Sequence, residues 1–191
     1  PSNAIRNLLW FDGRLWAGSP RGLFVLEGEP PRVAERFDAS NGLGGDFIVG
    51  FARATSTGTL WVSQNAGLAE IDPRTLKVVR RVSKHDGLVD DEAWANGPLS
   101  VGRNGVVYFA TPKGLALFEK AGRQVSSHSF EGPGPWRTLT IVPVGTQILV
   151  YDGSRLAFQR PAAGVETRLE IGPTGGALKL RSLKTASGGD E

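Results

Sequence analysis

A chain of 191 residues with no cysteine and two histidines holds few side chains able to start a reaction. Without cysteine there is no thiolate nucleophile, no disulfide and no sulfur ligand for a metal. A serine nucleophile needs a base beside it, and histidine is the usual one. His85 and His128 stand 43 positions apart, at different places relative to their nearest glycine turns, so both read as surface residues. The acidic group Asp86, Asp90, Asp91 and Glu92 is the best metal candidate, since calcium takes roughly six to eight oxygens from a compact loop. Its spacing departs from the alternating pattern of such loops, and Leu88 and Val89 interrupt it, so a solvated connection fits better. Gly42-Leu43-Gly44-Gly45 lacks the Lys-Ser/Thr ending of a phosphate loop. These residues point to binding rather than catalysis, and they call for no metal and no cofactor.

Recognition needs less machinery: hydrogen-bonding groups and aromatic plates brought to one place. Arg21, Asn65, Lys113 and Arg155 occupy equivalent turns, and Asp46, Asp91, Trp94, Trp136 and Arg137 lie in the longer connections. Arg137 beside Trp136 offers a planar fork next to an aromatic face, which suits a carboxylate or the face of a sugar. Arg21, Asn65, Lys113, Trp94, Trp136 and Arg137 are therefore the candidate ligand-binding residues. Ordinary packing and solubility are the competing reading, because loop composition alone is weak evidence.

The elements that would bring them together follow from a repeat. Gly13-Arg14-Leu15-Trp16, Gly58-Thr59-Leu60-Trp61, Gly105-Val106-Val107-Tyr108 and Gly145-Thr146-Gln147-Ile148 begin 45, 47 and 40 residues apart. The first three are followed by Gly22-Leu23, Gly67-Leu68 and Gly114-Leu115, and the fourth degenerates to Arg155-Leu156. A second landmark, Asn41-Gly42, Asp86-Gly87 and Glu131-Gly132, recurs every 45 residues. Each period reads as four short strands; in the second these are Phe47–Ala54, Leu60–Gln64, Leu68–Asp72 and Leu76–Val82. Glycines at the corners permit left-handed backbone, and Pro73 presets a turn. Four strands in 40–47 residues make a propeller blade. The fold class expected is all-β: a propeller of about four antiparallel blades, 4–38, 47–82, 94–130 and 136–171, with strand 177–183 opening another. Trp16, Trp61, Tyr108 and Ile148 are expected to pack between blades, since every blade must bury the same face.

The unit Asp12-Gly13-Arg14-Leu15-Trp16-Ala17-Gly18-Ser19, followed by Arg21-Gly22-Leu23-Phe24, resembles the two-component-regulator propeller family. The pattern recurs well over 41–71 and weakly over 86–118, and the fourth unit has lost most of it. In that family the Gly-Leu turn is commonly followed by Pro-Ser-Asn and a first strand, which Pro1-Ser2-Asn3-Ala4-Ile5 matches. The resemblance implies a non-catalytic ligand-sensing module: the periplasmic or extracytoplasmic input region of a bacterial two-component signalling protein. Its partners would be a small molecule, a saccharide or another protein. The double-glycine units of kelch blades, the Gly-His and Trp-Asp pairs of WD40 blades and the Ser-x-Asp boxes of sialidases do not occur. A propeller lyase or hydrolase with catalytic groups on its loops is the alternative from another class, and a structural platform for protein contacts is a third.

Composition narrows the remaining classes. With 26 glycines and 12 prolines, turns must be frequent and strands short. No apolar run approaches the roughly 18 residues a membrane helix needs. The net charge of +3 is small, and its densest basic run, Arg74, Lys77, Arg80, Arg81 and Lys84, alternates with valines as an outer strand guarding its edge would. A nucleic-acid partner is not expected. Methionine is absent even at position 1, so the chain reads as part of a longer polypeptide. Its end blades should then either drive self-association or be closed by the last strand pairing with the first blade.

Overall fold

The computed structural model describes residues 4–88, 90–92, 99–102 and 105–111 with their side chains, and beyond them the backbone of strands reaching residue 183. It is all-β. The first sheet contains β1 (Asn7–Phe11), β2 (Arg14–Ser19), β3 (Gly22–Glu27) and β4 (Arg32–Phe37), and the second β5 (Ile48–Ala54), β6 (Thr59–Gln64), β7 (Gly67–Asp72) and β8 (Lys77–Val82). Both are antiparallel meanders in sequence order. A third meander holds β9 (Leu99–Val101), β10 (Val107–Thr111), β11 (Gly114–Glu119) and β12 (Gln124–Glu131). A fourth sheet has three strands, β13 (Thr140–Val144), β14 (Gln147–Tyr151) and β15 (Leu156–Gln159). Among the described residues the only helical element is a single 3-10 turn, Lys84–Asp86.

The leading strand of each sheet lies against the leading strand of the next: β1 on β5, β5 on β9 and β9 on β13. The sheets therefore stack face to face in sequence order. Trp16 is fully buried with Leu23, Val25 and Phe37 against Ile48, Leu60, Val62, Ala69 and Ile71 of the second sheet. One sheet further on, Trp61 packs with Ala52, Leu68 and Val82 against Leu99, Val107 and Phe109 of the third. Tyr108, at the same register, is buried as well. Strands β6 and β7 are consequently buried on both faces, whereas the outer strand β8 alternates exposed Lys77, Val79 and Arg81 with inward Val78 and Val82. The basic run is thus an edge strand, where charge discourages pairing with another chain. The side chain of Ile148 lies outside the described residues.

Polar staples fix the angle between the first two sheets. The Asn7 amide donates to the Val49 carbonyl at 2.8 Å, and the Arg14 guanidinium donates to the Pro73 carbonyl at 2.8 Å. Arg53 donates to the Trp10 carbonyl and lies over the Phe11 ring, 5.6 Å from its centroid. Such joints resist sliding in a way that apolar faces alone do not, because a carbonyl accepts only from a donor placed correctly.

The C-terminal strands depart from the expected order. Strand β17 (Gly176–Leu183) does not open another blade, and it does not pair with the first sheet. It runs antiparallel to β12, with Ser127 opposite Leu183 and Glu131 opposite Lys179, and β16 (Thr167–Ile171) pairs on its far side. The third sheet thereby grows to six strands, and the fourth sheet lacks β16. An outer strand presents a row of unpaired amides and carbonyls. At eight residues β12 is long enough for the eight-residue β17 to satisfy that row.

Candidate functional site

At one end of the second sheet, the turn between its second and third strands meets the connection that enters its first strand. In the first sheet Ser19 makes this turn: its hydroxyl donates to the Gly22 carbonyl and accepts from the Arg21 amide, each at 3.0 Å. In the second sheet Gln64 and Asn65 hold the incoming connection. Gln64 Oε1 accepts from the Gly45 amide at 3.0 Å, and Asn65 Oδ1 accepts from the Phe47 amide at 3.3 Å. The chain passes so close that a Cβ on Gly45 would lie 2.2 Å from Asn65 Oδ1. Glycine there serves backbone approach to the protein's own turn, not to a phosphate.

Ser19, Gln64 and Thr111 each stand six residues after the glycine that opens their unit, and all three are buried. Each ends the second strand of its sheet. A polar residue at this register satisfies backbone groups that a turn leaves unpaired. The repeat contained this signal, but it is masked by differing side chains: a hydroxyl, an amide and a hydroxyl.

The connections between sheets are ordered by carboxylates. Asp46 accepts from the Ala39 amide at 2.7 Å. Asp38 accepts from the Ser40 amide at 2.9 Å and from its hydroxyl, and pairs with Arg36 at 3.1 Å. The Ser40 hydroxyl, then its amide, holds Asp38 below the ordinary carboxyl value of 3.8, with Arg36 adding to the effect. In the next connection Ser83 and Asp86 cap the 3-10 turn reciprocally. Asp90 pairs with Lys84 at 3.0 Å, and Asp91 accepts from the Lys84 amide. The Asp90 carboxylate raises Lys84 above its ordinary 10.5. Three of the four acidic residues considered for a metal thus bond to the connection itself, and His85 lies exposed on the 3-10 turn.

These shifts set a pH window for folding. A lowered carboxyl favours the folded state above its ordinary value, and the benefit is lost as pH falls through the lowered value. A raised ammonium favours the folded state below its ordinary value and is lost as pH rises through the raised one. Stability should therefore decline below pH 3.8 through Asp38 and above pH 10.5 through Lys84. Denaturation midpoints followed against pH check this: Asp90→Asn should flatten the alkaline decline through Lys84 while leaving the acid one in place.

Of the candidate ligand-binding residues, Asn65 is engaged with its connection, while Arg21 is exposed. Arg21 lies beside an apolar hollow of about 410 Å³ on the outer face of the first sheet, lined by Leu8, Leu15, Phe24, Leu26 and Val33. Sequence reasoning missed that hollow, since Leu and Phe at alternate positions read as ordinary core. Lys113, Trp94, Trp136, Arg137 and Arg155 lie outside the described residues. Arg6, next to β1, stacks over Phe47 with its guanidinium 4.7 Å from the ring centroid, showing that an arginine-aromatic pair does form at this end.

No family model matches the chain, and no curated protein does. Solved structures do. Two are described as the extracellular domain of one B. thetaiotaomicron signalling protein, called a one-component system in one case and a hybrid two-component system in the other. The first is 18% identical with a TM-score of 0.59 over 96% of this chain, and the second 17% identical with 0.60 over 93%. The extracellular domain of a different hybrid two-component system from the same organism is 14% identical, with a TM-score of 0.52 over 92% of the chain. At these identities the likeness is one of fold. The chain spans 23–27% of the length of these structures. Among the described residues no helix is long and apolar enough to cross a membrane.

Proposed function

We propose that the chain is an arc of a β-propeller and serves as a non-catalytic recognition module, the extracytoplasmic input region of a bacterial two-component signalling protein. One observation carries the reading: the joint built around Trp16 recurs around Trp61 one sheet further on, and in the second sheet the turn after β6 and the connection entering β5 meet at one end. Loops held on such a scaffold vary freely in sequence while keeping their positions, which suits ligand recognition. The fold shared with extracellular domains of signalling systems supports the assignment to sensing. The ligand fits best as a saccharide or small carboxylate, held by Arg137, Trp136 and Trp94 with Lys113 and Arg21 adding charge. Binding would shift one sheet against the next, and a kinase elsewhere in the protein would read the shift.

Titration calorimetry with neutral and acidic oligosaccharides tests this. A ligand should bind, and Arg137→Ala and Trp136→Ala should each weaken it at least tenfold while far-ultraviolet circular dichroism stays unchanged. Binding indifferent to both variants would overturn the site, and turnover of the bound sugar would overturn the non-catalytic reading.

A further inference from the structure

In the first two sheets the polar residue that ends the second strand satisfies its turn with a single atom. Ser19 does so with its hydroxyl, which donates to the Gly22 carbonyl and accepts from the Arg21 amide. Gln64 does so with Oε1, which accepts from the Gly45 amide. Glutamine, however, brings a second polar atom to the same place. Gln64 is fully buried, and its Nε2 is the one buried side-chain nitrogen or oxygen among the described residues that has no hydrogen-bond partner. Turning the amide over would set its N–H groups against the Gly45 N–H, so its orientation is fixed. A buried donor without an acceptor is rare and costly, and each case needs a physical reason.

What closes over Nε2 is thin. Gly44 is exposed to solvent on one side, and on the other a Cβ built on it would lie 3.4 Å from Gln64 Nε2 and 2.8 Å from the Ala66 carbonyl oxygen. The residues flanking the two glycines are held. The Leu43 side chain is buried and its amide donates to the Asp38 carbonyl at 3.0 Å, while the Asp46 carboxylate accepts from the Ala39 amide at 2.7 Å. Gly44 and Gly45 thus form a short arch between fixed feet, with no side chain on Gly44 to bar the way to the donor beneath.

We propose that Gln64 Nε2 and the Ala66 carbonyl form a subsite for a hydroxyl group of a saccharide, admitted when Gly44 lifts. The inference deepens the recognition reading by naming a donor for its ligand in the second sheet. A hydroxyl suits the pair because its oxygen accepts from Nε2 while its proton goes to the Ala66 carbonyl. A carboxylate would satisfy Nε2 but meet the carbonyl oxygen with no proton between them. A lone water gains only its own bonds, and Nε2 is sealed, so no water-sized space adjoins it. A ligand hydroxyl arrives with the rest of its molecule bound at the same end, and that binding is what displaces Gly44.

Proton–nitrogen correlation spectra of the whole chain test this, with glycerol as the hydroxyl probe taken to molar concentration and acetate as the comparison. Glycerol should shift the Gln64 side-chain amide and the Gly45 and Ala66 backbone amides along one saturating curve, and acetate should not. Gly44→Ala puts a methyl group between Nε2 and the Ala66 carbonyl, and Gly44 does not have left-handed backbone, so this variant should fold. It should weaken the glycerol response at least tenfold. Gln64→Met, read at Ala66, should abolish it. No saturable shift at Gln64, an equal response to acetate, or a response unchanged in Gly44→Ala would each overturn the proposal. So would a long-lived water at Nε2, seen by cross-relaxation with solvent, that glycerol does not displace. Calorimetry on Arg137→Ala and Trp136→Ala judges the recognition reading separately, since oligosaccharide binding that depends on them stands whether or not Gln64 responds.

Discussion

Replacing Trp61 with alanine is expected to cost about 3–5 kcal/mol of stability, the range for truncating a large buried aromatic. Trp61 is 1% exposed and lies in a joint rather than within one sheet. It touches the cluster formed by Ala52, Leu68 and Val82 of its own sheet and by Leu99, Val107 and Phe109 of the next. The hole left by alanine cannot be filled from one side, because the backbones of both sheets are fixed by their own hydrogen-bond ladders. The lost transfer energy and the residual cavity therefore add. Trp10→Ala is the control: at 62% exposure it should change stability by less than about 1 kcal/mol. Chemical denaturation of the two variants in parallel decides the matter. A Trp61→Ala loss below about 1 kcal/mol would mean that the joint is not closed around it.

The parts of the fold that repeat were legible in the sequence, because a repeated unit must bury the same face each time. Gly58, Trp61, Gly67 and Leu68 mark the corners and core of one sheet, and the strands observed around them, Thr59–Gln64 and Gly67–Asp72, begin one residue before the positions expected. The expected starts of the later sheets, near Trp94 and Trp136, lie outside the described residues. What could not be read was pairing that local pattern does not specify. Nothing in Thr167–Ile171 or Gly176–Leu183 distinguishes the outer strand of its own sheet from a strand added to β12, since a free edge accepts any strand of suitable length. The site was legible only in outline. Spacing placed Arg21 and Asn65 in equivalent turns, but not that Asn65 would spend its side chain on Phe47 while Arg21 borders an apolar hollow. Gln64 was invisible for a related reason. Its burial comes from the connection folding over it, and that contact depends on Gly44 and Gly45 rather than on Gln64 itself.

Two glycines of the same repeat should respond very differently to alanine, and the contrast tests the turn geometry directly. Gly67 has φ +91, and a Cβ built on it would lie 2.2 Å from the Val82 carbonyl oxygen, with backbone atoms of Val82 and Ser83 at 3.3 Å. None of these atoms belongs to a side chain that can rotate away. Relief would require the outer strand β8 to move off β7 at Val82, which is buried in the joint with the third sheet. Left-handed backbone alone costs a residue with a Cβ about 1–3 kcal/mol. The forced shift adds to it, so Gly67→Ala should lose about 3 kcal/mol or more. Gly22 repeats the geometry one unit earlier, with φ +126 and the Phe37 carbonyl oxygen at 2.5 Å, and should behave alike. Gly58 also has positive φ, +66, but nothing lies within 4 Å of its Cβ position. There the cost is conformational only, about 1 kcal/mol, and Gly58→Asn should recover part of it because asparagine tolerates this region. Urea denaturation of Gly67→Ala and Gly58→Ala side by side reads the difference. Losses within about 0.5 kcal/mol of each other would show that β8 does not close over Gly67, and the register of the outer strand would have to be redrawn.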